Sequence, residues 1–381
     1  MSLNAAKKLI KDLKRKGHQA YMVGGVVRDF LMKSKFSDID ITTSAKPYEV
    51  MKLFKTVPTG LKYGTVTVLY DNAQFEVTTF RQDGPTSDFR HPDSVIYSDN
   101  VNDDVQRRDF TINGILMDDY QNIYDYVGGQ QDIINKIIRT IGDPDQRFNE
   151  DALRMLRAIY FQSKLGFIIE EETKRSIRRN RHLIQELPME RVHTEMIKIL
   201  KGEHLKTALE SMIETGLDEV LPGLEKGIKY AATLDLMPYV DPFFALAFTL
   251  NNGIVPAEWP FSNIHRNKYQ KAAELALKTK EFIDDVNLYH YGLEISILAN
   301  KVNAFRGIAK HAEKKIIAAY EALPVKSELD LALTSQEILD FKNKKPGAWL
   351  GILKKQMIED ILLKKVSNDK NSLYKYLESK A

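Results

Sequence analysis

The sequence predicts an α+β protein: a mixed head of strands and helices over residues 1–140, then about 240 residues of helix. Two observations carry this prediction. Runs rich in Val, Thr, Phe and Tyr, separated by turn residues, crowd the N-terminal third. From about residue 145 apolar residues instead recur every three or four positions, with prolines falling between the periodic stretches.

Taken in order, MSLNAAKKLIKDLKRKG reads as a short amphipathic helix, because it lacks the apolar core and cleavage site of a signal peptide. Ala20 to Val23 is a short apolar run that ends at Gly24-Gly25, and Val26 to Leu31 is the helix after that turn. In Ser37-Asp-Ile-Asp-Ile-Thr-Thr43 the acids alternate with Ile39 and Ile41, as a half-buried strand requires. Asp38 and Asp40 then share one face. Gly64 to Tyr70 and Gln74 to Phe80 are β-rich and joined at Asp71-Asn72, a hairpin signal. Residues 83–104 are polar without a sustained period. Such length of irregular chain is uncommon in a domain unless functional or mobile. Phe110 to Met117 reads as another strand, followed by a turn at Asp118-Asp119 and a short run to Tyr126. Beyond it, Leu153, Leu156, Ile159 and Tyr160 trace one apolar helix face, and 191–200, 270–283 and 309–323 behave similarly. Pro188, Pro222, Pro238, Pro256, Pro324 and Pro346 mark the expected boundaries.

Composition narrows the classes. With 43% hydrophobic and 28% charged residues the chain is an ordinary globular sequence. It has no run approaching the roughly 18 apolar residues of a membrane span. The absence of cysteine excludes disulfides, cysteine-ligated zinc and thiol nucleophiles. Eight histidines form no HxxH or HExxH grouping, which argues against a histidine metal centre. A cytoplasmic location is the default expectation. Residues 301–381 hold 16 Lys and Arg against 10 Asp and Glu, a net +6, while the rest of the chain is −3. A basic C-terminal region fits a polyanionic partner, although solvated lysines on helix surfaces produce the same count.

Five groups of residues carry chemistry. Two carboxylates side by side, Asp38 and Asp40, repel unless a cation lies between them, which suits Mg²⁺ on a triphosphate. Gly24 and Gly25 at a strand-to-helix turn let backbone N–H groups approach a phosphate, and Arg28 can fork onto its oxygens. The plain alternative is a tight turn with an Arg28–Asp29 surface pair. Glu76, on the second hairpin strand, could deprotonate an attacking hydroxyl or complete a metal's shell, or simply face solvent. In Gln106-Arg-Arg-Asp-Phe-Thr-Ile-Asn113, Arg108 beside the acid Asp109 could hold a triphosphate and Asn113 could bind a sugar hydroxyl. Finally, on a helix Glu150, Arg154 and Arg157 fall at i, i+4 and i+7, with Asp151 three before Arg154. A carboxylate only accepts and a guanidinium only donates. A base with an exocyclic amine beside an unprotonated ring nitrogen, cytosine or adenine, matches an Asp/Arg pair. Guanine and uracil offer the reverse and would leave buried groups unpaired.

These motifs, in this order, resemble the bacterial class II tRNA nucleotidyltransferases, the CCA-adding enzymes of the DNA polymerase beta superfamily. The resemblance rests on VGGVVRDFL with SDIDITT, then FEVTTFRQDG, QRRDFTIN, YDYVGGQQD with IIRTIGDP, RFNEDALRMLRA and PMERVHTEM, spanning about residues 20–200. It implies a polymerase-beta-like nucleotidyltransferase head (1–140), a neck that selects the base (141–205), a helical body (206–290) and a tail that docks tRNA (291–381). It implies Asp38 and Asp40 as Mg²⁺ ligands, and Gly25, Arg28 and Arg108 on the phosphates and sugar of CTP or ATP. Asp151 and Arg154 would read the base, with Arg157 nearby, and relatives of this kind often form homodimers. Two departures stand out. Tyr160 stands where relatives carry a further Arg, and Arg90-His91-Pro92 where Arg-Arg-Pro is common. The resemblance also admits a poly(A) polymerase, a CC- or A-adding enzyme, or a silent RNA-binding module. Against them stand the Glu150-Asp-Ala-Leu-Arg154 form of the neck motif, the retained 83–104 segment and the presence of both Asp38 and Asp40.

Overall fold

The amphipathic N-terminus forms helix α1 (Leu3–Arg15), which buries Ala5, Ala6, Leu9, Ile10 and Leu13 in one apolar cluster with the sheet that follows. The computed structural model describes residues 3–36, 38–84, 94–236, 238–280 and 282–380. These form two units, Met1–Ala232 and Thr233–Ala381.

In the first unit, β1 (Ala20–Val23) runs into α2 (Gly25–Leu31) and then β2 (Asp40–Thr43). Helix α3 (Pro47–Leu53), started by Pro47, leads to β3 (Thr56–Val57), and then β4 (Thr65–Tyr70) turns back as β5 (Ala73–Thr79). Asp71 and Asn72, at φ 50° and 58°, make the two-residue turn expected of them. Next come β6 (Arg81–Asp83), β7 (Val95–Tyr97) and α4 (Val101–Gln106), then β8 (Leu116–Met117), β9 (Ile123–Tyr124) and α5 (Gly129–Asn135). Seven strands make one mixed sheet in the order β3-β4-β5-β2-β1-β8-β9, in which only β2 and β5 pair in parallel. Ile39, Ile41, Val66, Val68, Phe75 and Val77 fill its core face with Met22, Val26 and Val27.

Helices dominate thereafter: β10 (Ile137–Ile138), α6 (Pro144–Glu150), α7 (Leu153–Leu165), β11 (Ile168–Ile169), α8 (Glu171–Asn180), α9 (Met189–Leu200), α10 (Leu205–Thr215) and α11 (Glu225–Ala231). The second unit is all helical: α12 (Val240–Leu250), α13 (Asn263–Lys278), α14 (Asp285–Phe305), α15 (Glu313–Glu321), α16 (Ser335–Lys342), α17 (Ala348–Leu362) and α18 (Lys370–Ser379). It packs Phe243, Phe244, Phe248, Trp259 and Tyr269 in an aromatic core. Gly292, at φ 76°, interrupts α14. Among the described residues no helix is long and apolar enough to cross a membrane.

The structure departs from the sequence reading in five places. Strand β2 starts at Asp40, so Asp38 lies in the exposed approach to it rather than on its face. The run 110–117 is mostly not a strand, because Thr111–Asn113 coil into a 3-10 turn and only Leu116–Met117 join the sheet. The polar 83–104 segment carries a two-stranded ribbon and α4 at its described ends; Asp88 and Arg90-His91-Pro92 lie outside the described residues. The helical stretch admits one strand pair, β10 with β11. Finally, 150–157 is not one helix: Asp151 is extended at φ −148°, ψ 100° and separates α6 from α7.

Candidate active site

The register of the central strands brings the first acids together. Val23 pairs with Asp40 across β1–β2, and Asp40 pairs with Glu76 across β2–β5. Asp38, Asp40 and Glu76 line one cavity of about 400 Å³ with Ile39, Thr67 and Gln74. Burial pushes the Asp40 carboxyl above the usual carboxylate range; Arg108 opposes this, and Glu76 and Asp38 add to it by like-charge repulsion. Such mutual repulsion is what a bound cation relieves. Among the described residues no three acid or His side chains converge tightly enough to cage a metal alone.

The Gly-Gly turn adjoins this cavity. Gly24 takes φ 77°, a left-handed conformation that favours glycine, and a Cβ there would lie 3.4 Å from Asp40 Oδ2 and 3.9 Å from Arg108 Nη1. Gly25 opens α2 beside it. Arg108 donates to Asp104 Oδ2 at 2.9 Å, yet its buried Nε has no hydrogen-bond partner among the described residues. An unpaired guanidinium N–H beside two acids and a glycine turn is a fitting place for a phosphate oxygen.

Asp104 is a residue that the motif reading passed over. It is fully buried, accepts from Arg107 at 2.8 and 2.6 Å, from Arg108, and from the Thr42 hydroxyl at 2.9 Å. Burial works against its ionisation, but Arg108 and Arg107 outweigh it and hold the carboxyl at about 2. The available signal was the i, i+3 and i, i+4 spacing from Asp104 to Arg107 and Arg108.

Arg28 is not exposed to a ligand here. Only 2% of it is accessible. It donates to Asp29 Oδ1 at 2.9 and 2.7 Å and to Asn113 Oδ1 at 2.7 Å, and it stacks 5.3 Å from the Phe161 ring. Asn113 passes the chain on, donating to Asp109 Oδ1 at 3.1 Å. Asp109 accepts Arg157 at 2.8 and 2.5 Å, and Arg157 stacks on the same Phe161 ring at 5.3 Å. Burial pushes the Asp109 carboxyl up, but the Arg157 charge together with hydrogen bonds from Arg157, Asn113 and the Phe110 N–H leaves it below the usual range. This buried network thus ties α2 and the 110–113 turn to α7, with Phe161 another residue that the motifs did not flag. Tyr160 lies beside it, half-buried, with Lys198 Nζ 5.7 Å from its ring.

A second and larger cavity, about 810 Å³, holds the base-reading candidates. Glu150, Asp151 and Arg154 line one side with Arg147 and Gln146, while Thr65, Glu76 and Arg81 line another. Glu76 belongs to both cavities. Despite the helix break, Arg154 reaches Glu150 Oε2 at 3.0 Å, and it is further held by two main-chain carbonyls, Arg107 O at 2.9 Å and Arg147 O at 3.2 Å. Asp151, at the C-terminal end of α6, accepts the Leu153 N–H at 3.1 Å and Arg191 at 3.2 Å. So Asp38, Asp40, Glu76, Gly24, Gly25 and Arg108 gather at the first cavity, and Glu150, Asp151 and Arg154 at the second. Arg28, Asp109, Asn113 and Arg157 form the buried link.

The head has the architecture of a template-independent nucleotidyltransferase: residues 20–139 match the family model "Poly A polymerase head domain". Residues 166–228 match "Probable RNA and SrmB- binding site of polymerase A", and 253–377 match a second domain of tRNA nucleotidyltransferases. The CCA-adding enzyme of Bacillus cytotoxicus is 38% identical, over 97% of this chain and 96% of the relative. That of Bacillus subtilis is 36% identical over 95% and 94%. The chain belongs to the CCA-adding enzyme family. The crystal structure of the Bacillus stearothermophilus CCA-adding enzyme in complex with CTP superposes with a TM-score of 0.85 at 33% identity, covering 100% of this chain and 98% of that one. The Thermotoga maritima CCA-adding enzyme complexed with tRNA, 18% identical with a TM-score of 0.64, shares the fold. Nucleotidyltransferases of this kind depend on a divalent metal.

Proposed function

We propose that this enzyme adds and repairs the 3′-terminal CCA of tRNA, using CTP and ATP, without a nucleic-acid template and with release of diphosphate. The relatives' activity and their complexes with CTP and tRNA support this reading. The observation that carries it is Glu76, which lines both the Asp38/Asp40 cavity and the Asp151/Arg154 cavity. A nucleotide spanning that seam has its phosphates at the acids and its base at the neck.

Asp38 and Asp40 would hold Mg²⁺, which would supply neutralisation of the triphosphate charge and polarisation of the attacking hydroxyl. Arg108 and the Gly24-Gly25 turn orient the triphosphate. The tRNA 3′-oxygen bonds to the α-phosphorus as the bond to diphosphate breaks, and Glu76 takes the hydroxyl proton. Asp151 accepts the exocyclic amine of C or A, and Arg154 donates to the neighbouring ring nitrogen. Arg28, Asn113, Asp109 and Arg157 hold the surfaces on which the nucleotide rests. The functional division is head 1–140, neck 141–205, body 206–290 and tail 291–381, and the enzyme works in the cytoplasm as a homodimer. Sedimentation reads the last point.

The test uses tRNA lacking its 3′ end, with CTP, ATP and Mg²⁺. The expected product ends in CCA; one ending in CC, or in a long A tail, overturns the reading. Asp38→Ala and Asp40→Ala are expected to abolish incorporation while tRNA binding persists. UTP or GTP incorporated comparably to CTP and ATP would refute the base reading.

A further inference from the structure

Asp151 can read a base only if its carboxylate keeps one orientation, and its own element does little to ensure that. It lies at the break between α6 and α7, in extended backbone and outside both helices. One oxygen, Oδ1, accepts the Leu153 N–H at 3.1 Å. That contact alone leaves the group free to rotate about its Cβ–Cγ bond. The other oxygen, Oδ2, accepts Arg191 Nη2 at 3.2 Å, from a residue 40 positions away.

The arginine is well anchored. It sits in the first turn of α9, next to the fully buried Val192, and α9 packs along α7 through Met196 and Ile199. Its side chain and that of Asp151 are both about one-fifth accessible, 18% and 21%. An ionised carboxylate has about four lone-pair sites. Two are taken by Leu153 and Arg191, one two residues on and the other 40 residues on, and the other two remain for the cavity that Asp151 lines.

We propose that Arg191 is a positioning residue for base selection, locking the Asp151 carboxylate so that it accepts an amine and rejects a carbonyl. This rests on the assignment of Asp151 and Arg154 as the base readers. Discrimination by unpaired polar groups is large only when the site cannot rearrange to satisfy the wrong base. Freed from Arg191, Asp151 turns, admits water between itself and the base, and loses its veto over uracil. Arg191 lines neither the Asp38/Asp40 cavity nor the Asp151/Arg154 cavity, so its loss spares turnover with CTP relative to selection.

The experiment measures kcat/KM for CTP and for UTP on tRNA lacking its 3′ CCA, in the full-length enzyme and in Asp151→Ala, Arg191→Met and Arg191→Lys. Thermal melting verifies that each is folded, and Arg191→Gln is read in place of the Met variant if that one is not. Arg191→Met is expected to lower the CTP/UTP ratio roughly 10- to 100-fold, the scale of one hydrogen bond to a charged group, while kcat for CTP falls less than about threefold. Arg191→Lys, which restores a cationic donor, is expected to recover most of the ratio. If Asp151→Ala relaxes selection and Arg191→Met does not, or if Lys relaxes it as far as Met, the positioning role is overturned and the base reading stands. If Asp151→Ala itself leaves the ratio unchanged, the base reading fails and the proposal falls with it.

Discussion

Asp104 lines neither cavity but holds Arg107, Arg108 and Thr42 from the interior, and its energetics are the easiest to read. Its folded carboxyl titrates at about 2, against about 4 in an unfolded chain. A depressed acid contributes stability that is fully present above the unfolded value and is lost as pH falls through the folded one. Its stabilisation therefore disappears between about pH 4 and pH 2. Asp104→Asn removes the buried carboxylate that Arg107 and Arg108 share, and breaking a buried pair in this way typically costs about 3–5 kcal/mol. The expected deficit in denaturant unfolding is of that order at pH 7 and much smaller at pH 2; a deficit equal at both would show that the ion pairs are not responsible. Because Arg107 O also holds Arg154, the same variant is expected to raise KM for CTP.

At the scale of elements, the turn between β1 and α2 is the most constrained. Gly24 has a left-handed backbone, and an added Cβ would stand in van der Waals contact with Asp40 and Arg108. Gly24→Ala is expected to lower kcat/KM for both CTP and ATP by about tenfold or more through backbone strain of order 1 kcal/mol and a shifted Asp40, measured by steady-state incorporation. Equal kinetics would mean that the turn tolerates a Cβ. Elements of this kind were legible where a local rule acts alone. The β4–β5 hairpin followed from Asp71-Asn72, and α1 from its apolar stripe. The rule failed where a side chain overrode it. The spacing of Glu150, Arg154 and Arg157 suggested a continuous helix, but Asp151 ends α6 in extended backbone and its carboxylate accepts the Leu153 N–H that opens α7. Thr111 and Asn113 have strand-like neighbours, yet their side chains answer to Asp132 and to Arg28 with Asp109, which pulls that stretch into a 3-10 turn. Arg191 and Phe161 were illegible for a different reason. Nothing in their own neighbourhood announces partners that lie 40 and more positions away, and only the packing of α9 on α7 and of α7 on the head brings them in.

For the whole molecule, charge is the informative variable. The chain is +3 in total, but 301–381 carries +6. If that region meets the tRNA backbone, each phosphate contact releases counterions and steepens the salt dependence of binding. Lys344, Lys345 and Lys355 are exposed there. Replacing all three with Gln is expected to flatten the slope of log Kd for tRNA against log salt by about 2–3 units if each pairs with one phosphate, and to leave KM for CTP unchanged. An unaltered slope would move the tRNA contact elsewhere. The division into a mixed head and a helical remainder was readable from period alone, since β-rich runs and three-to-four spacing do not overlap much in this chain. The partition at Ala232 was not, because α10 and α11 resemble the helices on either side of it in composition.

Arg154 carries one further consequence. Two of its three hydrogen bonds end on main-chain carbonyls, those of Arg107 and Arg147. A substitution at either position can shift such an acceptor but cannot delete it. Under the proposed base reading, the donor, Arg154, is therefore insulated from random substitution at Arg107 and Arg147, whereas the acceptor, Asp151, depends on the Arg191 side chain, which a single codon change removes. On that reading, loss of fidelity through the supporting residues is expected to arise at Arg191 far more readily than at Arg107 or Arg147.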